Sequence, residues 1–363
     1  MNQRKLWLVA LSCIAGSAVA NPYTIELLGG VSTPGFPDVG AVYGQGINAS
    51  GQVVGQSIAF DADGELSQGR AVSWQGGTAT NLGALAPDED SNALGINDAG
   101  QAVGWSGSQA ALFAGGTVTG LGLLSGGTNS LAFAINNSGL IVGQADDANG
   151  NFLAVTFANG SASVVPIAGA QYSLAQAVSN SGHIAGEWSA SSTGSNPRAF
   201  VSLNGNVTTF GVLPGGNRST ATGVNNAGVI VGYGSATGGE RGFFSNGTDL
   251  VSIGVLNGFT SSRAFAINNA GVVVGSVSAP GQQRAVIFSN GQLQNLNNLL
   301  SPGSGNWTLL YATGINDAGQ ISGVGRLNGE LVGFRMTPVP EPFTMTVLAA
   351  GLAGLAARRR RAR

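Results

Sequence analysis

The stretch Ile267-Asn268-Asn269-Ala270-Gly271-Val272-Val273-Val274-Gly275 is one copy of a nine-residue phrase, Ile-Asn-x-x-Gly-x-x-x-Gly. The phrase occurs seven times, at 47–55, 96–104, 135–143, 178–186, 224–232, 267–275 and 315–323, with Val opening two copies. Successive copies are 49, 39, 43, 46, 43 and 48 residues apart. A repeat of this length is one supersecondary unit that cannot bury its apolar face alone. Stacked neighbours must bury it, so the count of seven governs the fold.

Each unit reads as four short strands. The first ends at the Ile or Val, as in Ala264-Phe265-Ala266-Ile267. The next four residues are a turn, opened by Asn or Asp and closed by Gly in the left-handed region. A second strand follows, as in Val229-Ile230-Val231-Gly232, and after a loop a third, as in Arg284-Ala285-Val286-Ile287-Phe288. Gly76-Gly77, Gly115-Gly116, Asn159-Gly160, Asn204-Gly205, Asn246-Gly247 or Asn290-Gly291 then marks a type I′ hairpin into a fourth strand.

The residues one and three before the Ile or Val are always Ala or Gly, from Gly44 and Gly46 to Ala312 and Gly314. A spacing of two puts each pair on one face of a strand. Seven such crowded faces fit the centre of a ring. The seventh unit stops after its third strand, about residues 331–337, while Tyr23 to Leu28 reads as an orphan fourth strand. The expectation is an all-β, seven-bladed β-propeller whose ring is closed by the N-terminal strand, which removes exposed sheet edges.

The two ends follow other rules. Arg4 and Lys5, an apolar stretch from Leu6 to Ala15 and the small residues Ala18-Val19-Ala20 predict a signal helix over 1–20. The only cysteine, Cys13, lies within it, so no disulfide is expected. At the other end Pro340-Glu341-Pro342 leads into an apolar run, 343–357, and five arginines. Fifteen helical residues span about 22 Å, short of the roughly 30 Å hydrocarbon core. The expected organisation is therefore a signal peptide at 1–20, a propeller at 21–337 and a C-terminal segment at 338–363 with a short transmembrane helix.

This C-terminal pattern resembles the PEP-CTERM sorting signal of Gram-negative bacteria, except that Phe343 stands between the second proline and Thr344. The resemblance implies passage through the inner membrane, an exosortase as processing partner, cleavage near Pro340, Glu341 and Pro342, and delivery to the cell surface or medium. The repeats, over Tyr23 to Met336, resemble extracellular HAF repeats. The name-giving His-Ala-Phe is here Arg70-Ala71-Val72, Arg198-Ala199-Phe200 and Arg284-Ala285-Val286. That family implies a secreted location and no particular chemistry.

Chemistry-bearing residues are few. Eight arginines and sixteen acids lie between the two ends, an acidic balance that argues against nucleic acid as a partner. The domain holds one histidine, His183, and no lysine or cysteine, so a histidine triad or histidine-rich zinc site is not available. Asp61-x-Asp63-Gly64-Glu65 and Asp147-x-Asn149-Gly150 resemble calcium loops without the closing Glu. No cofactor, metal or catalytic residue is assigned.

Strand alternation puts both short turns of every unit on one face and the variable loops on the other. Variable loops on a rigid scaffold carry binding sites. Gln56, Trp105, Gln144, Glu187 and Tyr233 follow the second glycine of the phrase on that face, and Arg70, Arg198 and Arg284 approach it. Aromatics and arginines there suit sugars and carboxylates, or else they merely join blades. The expected function is non-catalytic binding of exopolysaccharide or a surface protein. The alternatives are a glycan-active lyase or hydrolase and a passive matrix protein.

Overall fold

The computed structural model describes residues 23–340. Tyr23–Pro338 forms one compact unit of twenty-eight strands, arranged as seven four-stranded antiparallel sheets. Blades 1 to 6 span residues 38–83, 91–120, 130–164, 172–209, 219–252 and 261–295, each in simple up-and-down order. Blade 7 combines Trp307–Ile315, Ile321–Leu327 and Glu330–Pro338 with Tyr23–Leu28. The N-terminal strand pairs antiparallel with Glu330–Pro338, from Tyr23 opposite Pro338 to Leu28 opposite Gly333.

The repeated phrase folds as a hairpin whose turn is locked by its asparagine. Asn268 Oδ1 accepts the Val272 N–H at 2.9 Å, and the Gly271 N–H returns to the Asn268 carbonyl at 3.0 Å. Gly271 sits at φ 78°, where a side chain is strained. The second type of turn also behaves as read at Asn204-Gly205, with φ of 51° and 80°. Asn246-Gly247 departs from it: the third strand ends at Ser245, the fourth resumes at Leu250, and Asn246 N–H bonds the Asp249 carbonyl at 3.1 Å.

The paired small residues do not share a regular strand face. The register shifts between them, as between Ala93 and Gly95 or Ala132 and Ala134. This is a bulge at the innermost strand. The first of each pair is sealed, with Ala93, Ala132 and Ala264 fully buried. The second abuts the next blade: a Cβ on Gly95 would lie 2.9 Å from Ala134 Cα.

The core lies between blades rather than within one. Ala185 and Ala199 of blade 4 pack with Val224, Ile230 and Phe243 of blade 5, and Val274 and Ile287 of blade 6 pack with Leu309, Ile321 and Phe334 of blade 7. Side-chain hydrogen bonds run through the same junctions. Asn48, Asn97, Asn136, Asn225, Asn268 and Asn316 each donate Nδ2–H to a backbone carbonyl at the matching turn of the following blade, at 2.9–3.4 Å. The Asn316 bond, to Asn48, joins blade 7 to blade 1. Nearer the loop face a buried serine stands first or second in the first strand of the next blade. Ser219 Oγ accepts the Ala199 N–H and donates to the Gly211 carbonyl; Ser91, Ser130 and Ser262 repeat both bonds.

Two parts of the expected fold need correction. Adding Tyr23–Leu28 completes one blade but does not seal a continuous sheet. The seven sheets are separate, no strand ladder joins neighbouring blades, and in backbone terms the ring is open. Side chains bind it together. Neither expected helix is found among the described residues. Among the described residues the one helical element is the short 3₁₀ turn Leu296–Leu299, and no helix is long and apolar enough to cross a membrane. The segments 1–20 and 343–357, with Glu341 and Pro342, lie outside the described residues.

Blade 4 breaks the asparagine series, because Ser179 stands where the other copies have Asn. Ser181 Oγ substitutes in part, donating to the Asn226 carbonyl at 2.8 Å. Ser179→Asn is expected to supply the seventh bond and raise stability by about 1 kcal/mol, whereas Asn225→Ser should lower it by about 1–3 kcal/mol. Urea midpoints read both, and equal midpoints for all three proteins would remove the asparagines from the account of ring stability.

Candidate functional site

First strands run from the loop face to the turn face and second strands run back. Residues directly after the second glycine of the phrase therefore sit near the loop face, and several reach toward the next blade. Gln56 Nε2 donates to the Ser91 carbonyl of blade 2 at 3.1 Å. Trp105 and Gln144 are half-buried on blades 2 and 3.

Glu187 is placed differently. It is half-buried on blade 4, accepts a short hydrogen bond from the Thr220 hydroxyl of blade 5, and accepts the Tyr172 hydroxyl at 3.3 Å. Burial pushes its carboxyl above the usual range, against the opposing pull of Thr220, Tyr172 and Arg218. Burial and then the Glu187 charge push the Tyr172 phenol up to about 12. Thr220 in turn pairs in register with Tyr233. The Arg263 guanidinium of blade 6 lies over the Tyr233 ring, 4.5 Å from its centroid. Arg263 Nε and Arg218 Nη2 each hold one oxygen of Glu240, at 2.5 and 2.7 Å. Both arginine side chains stay nearly half exposed, at 46% and 47%, so each can meet a ligand while Glu240 fixes its position.

Of the sequence candidates, this arrangement brings together Glu187 and Tyr233. Tyr172, Thr220, Arg218, Glu240 and Arg263 belong to the same patch and were not singled out by the sequence reading. Arg263 had a readable signal: it precedes the first small residue of blade 6 by one, opposite the ring of second-strand positions.

The three arginine candidates are occupied with backbone. Arg70 is buried, and its guanidinium donates to the carbonyls of Gly69, Pro87 and Glu89. Arg198 donates to the Asn217 carbonyl at 2.7 Å, and Arg241 repeats this toward Thr260 at 2.6 Å. These arginines hold the loop that enters the next blade. Arg284 donates to its neighbour Gln283.

The two calcium-like loops close on themselves. Asp61 Oδ1 accepts the N–H groups of Glu65 and Leu66, and Asp147 Oδ1 accepts those of Asn149 and Asn151. Among the described residues no group of three His, Cys, Asp or Glu is arranged to hold a metal ion. His183 Nδ1 lies 2.9 Å from Ser181 Oγ within the blade 4 turn, and its ring faces Gly228 of blade 5. On the turn face a cavity of about 220 Å³ marks the axis. Its apolar lining is the ring of motif residues such as Ile96 and Ile267, and its polar rim includes Asp98, Asn137, Asn226 and Asp317.

This geometry can be set beside known proteins. No protein-family model matches the chain, and no curated protein matches it. Solved structures do. A puromycin-hydrolyzing peptidase of Mycobacterium tuberculosis is similar at 12% identity and a TM-score of 0.50, over 84% of this chain and 52% of that one. The chain thus spans about half the length of that peptidase. A gluconolactonase from Xanthomonas campestris is similar at 13% identity and a TM-score of 0.37, over 89% of this chain and 98% of that one. A lectin from Aleuria aurantia is similar at 12% identity and a TM-score of 0.35, over 84% and 96%. At such identities the likeness to the peptidase is one of fold alone, and the seven four-stranded sheets themselves make the chain a seven-bladed β-propeller.

One buried acid near this face makes a pH test available. Asp146 takes the N–H groups of Thr128 and Asn129 at 2.8 and 2.6 Å, together with both of their side chains. Burial alone would raise its pKa, but these bonds outweigh it and bring the carboxyl from 3.8 to about 2. A depressed folded pKa contributes stability above the unfolded value that is lost as pH falls through the folded one. Urea midpoints should therefore fall more steeply between about pH 4 and 2 for the native protein than for Asp146→Asn. Parallel curves would refute the carboxylate clamp.

Proposed function

We propose that the chain is an exported, non-catalytic propeller that binds an extracellular saccharide polymer on its loop face. The observation that carries this reading is the patch across blades 4 to 6. Two tyrosines, a half-buried carboxylate and an arginine stacked on Tyr233 meet there on rigid strands. Aromatic faces stack on sugar rings, and a carboxylate held by its own hydrogen bonds is a preorganised acceptor for sugar hydroxyls. Export and processing by an exosortase near Pro340-Glu341-Pro342 are part of the proposal. They rest on the resemblance of the repeats to HAF repeats and of the C-terminal pattern to PEP-CTERM signals, and the inner membrane is a transient station on that route.

Binding of soluble exopolysaccharide to immobilised protein tests the patch. Tyr233→Ala and Glu187→Gln are each expected to weaken binding by about tenfold, roughly 1.4 kcal/mol, without lowering the unfolding midpoint. Trp105→Ala reports whether the ligand extends to blade 2. Normal binding by both of the first two variants would place the ligand elsewhere. Release of reducing ends or unsaturated sugars during the assay, abolished by Glu187→Gln, would replace this reading with a glycan-active enzyme whose acid is Glu187.

Mass spectrometry of surface-exposed or released protein tests the export proposal. The expected species lacks residues 1–20 and ends near Pro340. A chain in that fraction still intact through Arg363 would sink the exosortase assignment.

A further inference from the structure

Charge is divided across the loop face. Between residues 23 and 182 the only basic side chain is Arg70, and it is buried. Blade 1 and the entry to blade 2 instead carry the exposed acids Asp38, Asp63, Glu65, Asp88 and Asp90. Arginines return at the loop-face ends of blades 4 to 7, and Arg218, Arg263 and Arg326 are exposed there. Blades 1 and 2 stand across the ring from blade 5, so the acidic excess and the arginines occupy opposite halves of one face, although Glu187, Glu240 and Glu330 share the arginine half and Glu240 pairs with both Arg218 and Arg263.

The acidic half is also the apolar half. Val39 is 46% exposed, Phe60 37%, Leu66 63% and Leu85 37%, and all four lie at the loop-face ends of blade 1 or in the loop to blade 2. They are four of the seven large hydrophobic residues exposed among the described residues. Apolar side chains gathered inside a rim of one charge mark protein interaction sites.

A face with one acidic and one basic half is complementary to itself. Rotating a second copy by a two-fold axis lying in the plane of the face sets each acidic lobe over the other copy's basic half. The result is two equal contacts and a closed pair. We propose that the protein self-associates in this way, with the acidic and apolar lobe of blades 1 and 2 seated on Arg218, Arg263 and Tyr233 of a second copy. The arginine stems and the tyrosine ring cover Leu66 and Phe60, while the guanidinium groups meet Asp63 and Glu65. Opposite charge steers the two faces into register and disfavours like halves meeting. This inference is independent of the saccharide reading, and the pair would cover that patch, so polymer and second copy compete for it.

The test is the mass of the full chain by sedimentation at ionic strengths of about 20 mM and about 500 mM, a range over which screening shortens from beyond the span of a contact to well within it. A dimer at low salt that dissociates at high salt is expected. Arg218→Glu with Arg263→Glu, and separately Asp63→Lys with Glu65→Lys, should each give a monomer at low salt. Mixing these two variants should restore a mixed dimer, because each now offers the half the other needs. Their circular dichroism should match that of the unaltered protein, and Leu66→Ser supplies a variant that weakens the pair without altering charge. A native protein monomeric at low salt, or a dimer indifferent to both reversals, overturns the proposal. So does failure of the mixture to pair; if an acidic polysaccharide then binds the basic half, that half serves a polymer instead.

Discussion

The hydrogen bond from the asparagine side chain of one turn to the backbone of the next is the constraint on which the ring depends. Its Oδ1 shapes its own hairpin while its Nδ2–H is spent on the neighbouring blade, as Asn268 does with Val272 and the Asn316 carbonyl. One side chain therefore sets both the local turn and the distance between blades. The donors are buried, so leaving one unpaired costs more than the bond itself contributes. Because no strand ladder crosses between sheets, these bonds, the serine and arginine bonds nearer the loop face and single backbone bonds such as Ser219 N–H to the Pro197 carbonyl give direction to the apolar packing.

Close approach at the axis follows from that spacing. Gly95 lies against Ala134, and Gly46 against the Leu94 carbonyl, at distances that leave no room for a larger side chain. Each blade also buries its core residues on its neighbours, as Ile230 and Phe243 of blade 5 do against Ala199 of blade 4. The repeat is therefore stable only as part of the set. Joints therefore lie at both ends of each blade, asparagines at the turn face and serines and arginines nearer the loop face.

Much of this was legible in the sequence. The period, the glycine positions and the orphan strand at Tyr23–Leu28 gave the blades and their strand pairing, because local turn chemistry and alternation act over a few residues. The bulge between Ala93 and Gly95 was not legible, since a register shift depends on the partner strand. The arginines at 70 and 198 looked like ligand groups because sequence shows charge but not the carbonyls that absorb it. Glu187 and Tyr233 were seen as single positions. Their meeting with Thr220, Arg263 and Glu240 arises from three blades packed side by side, and no spacing along the chain encodes it.

The blade assembled from both ends has a consequence for synthesis. The sheet of every other blade is drawn from one continuous stretch of chain, but the last waits for Glu330–Pro338 while Tyr23–Leu28, made before any other described strand, stays unpaired. The Asn316 bond to Asn48 waits with it. A chain cut short by even one strand keeps an open edge and a gap in the ring, which proteases and chaperones can detect. The topology thus makes completion of the seventh blade conditional on synthesis to the end of the seventh repeat.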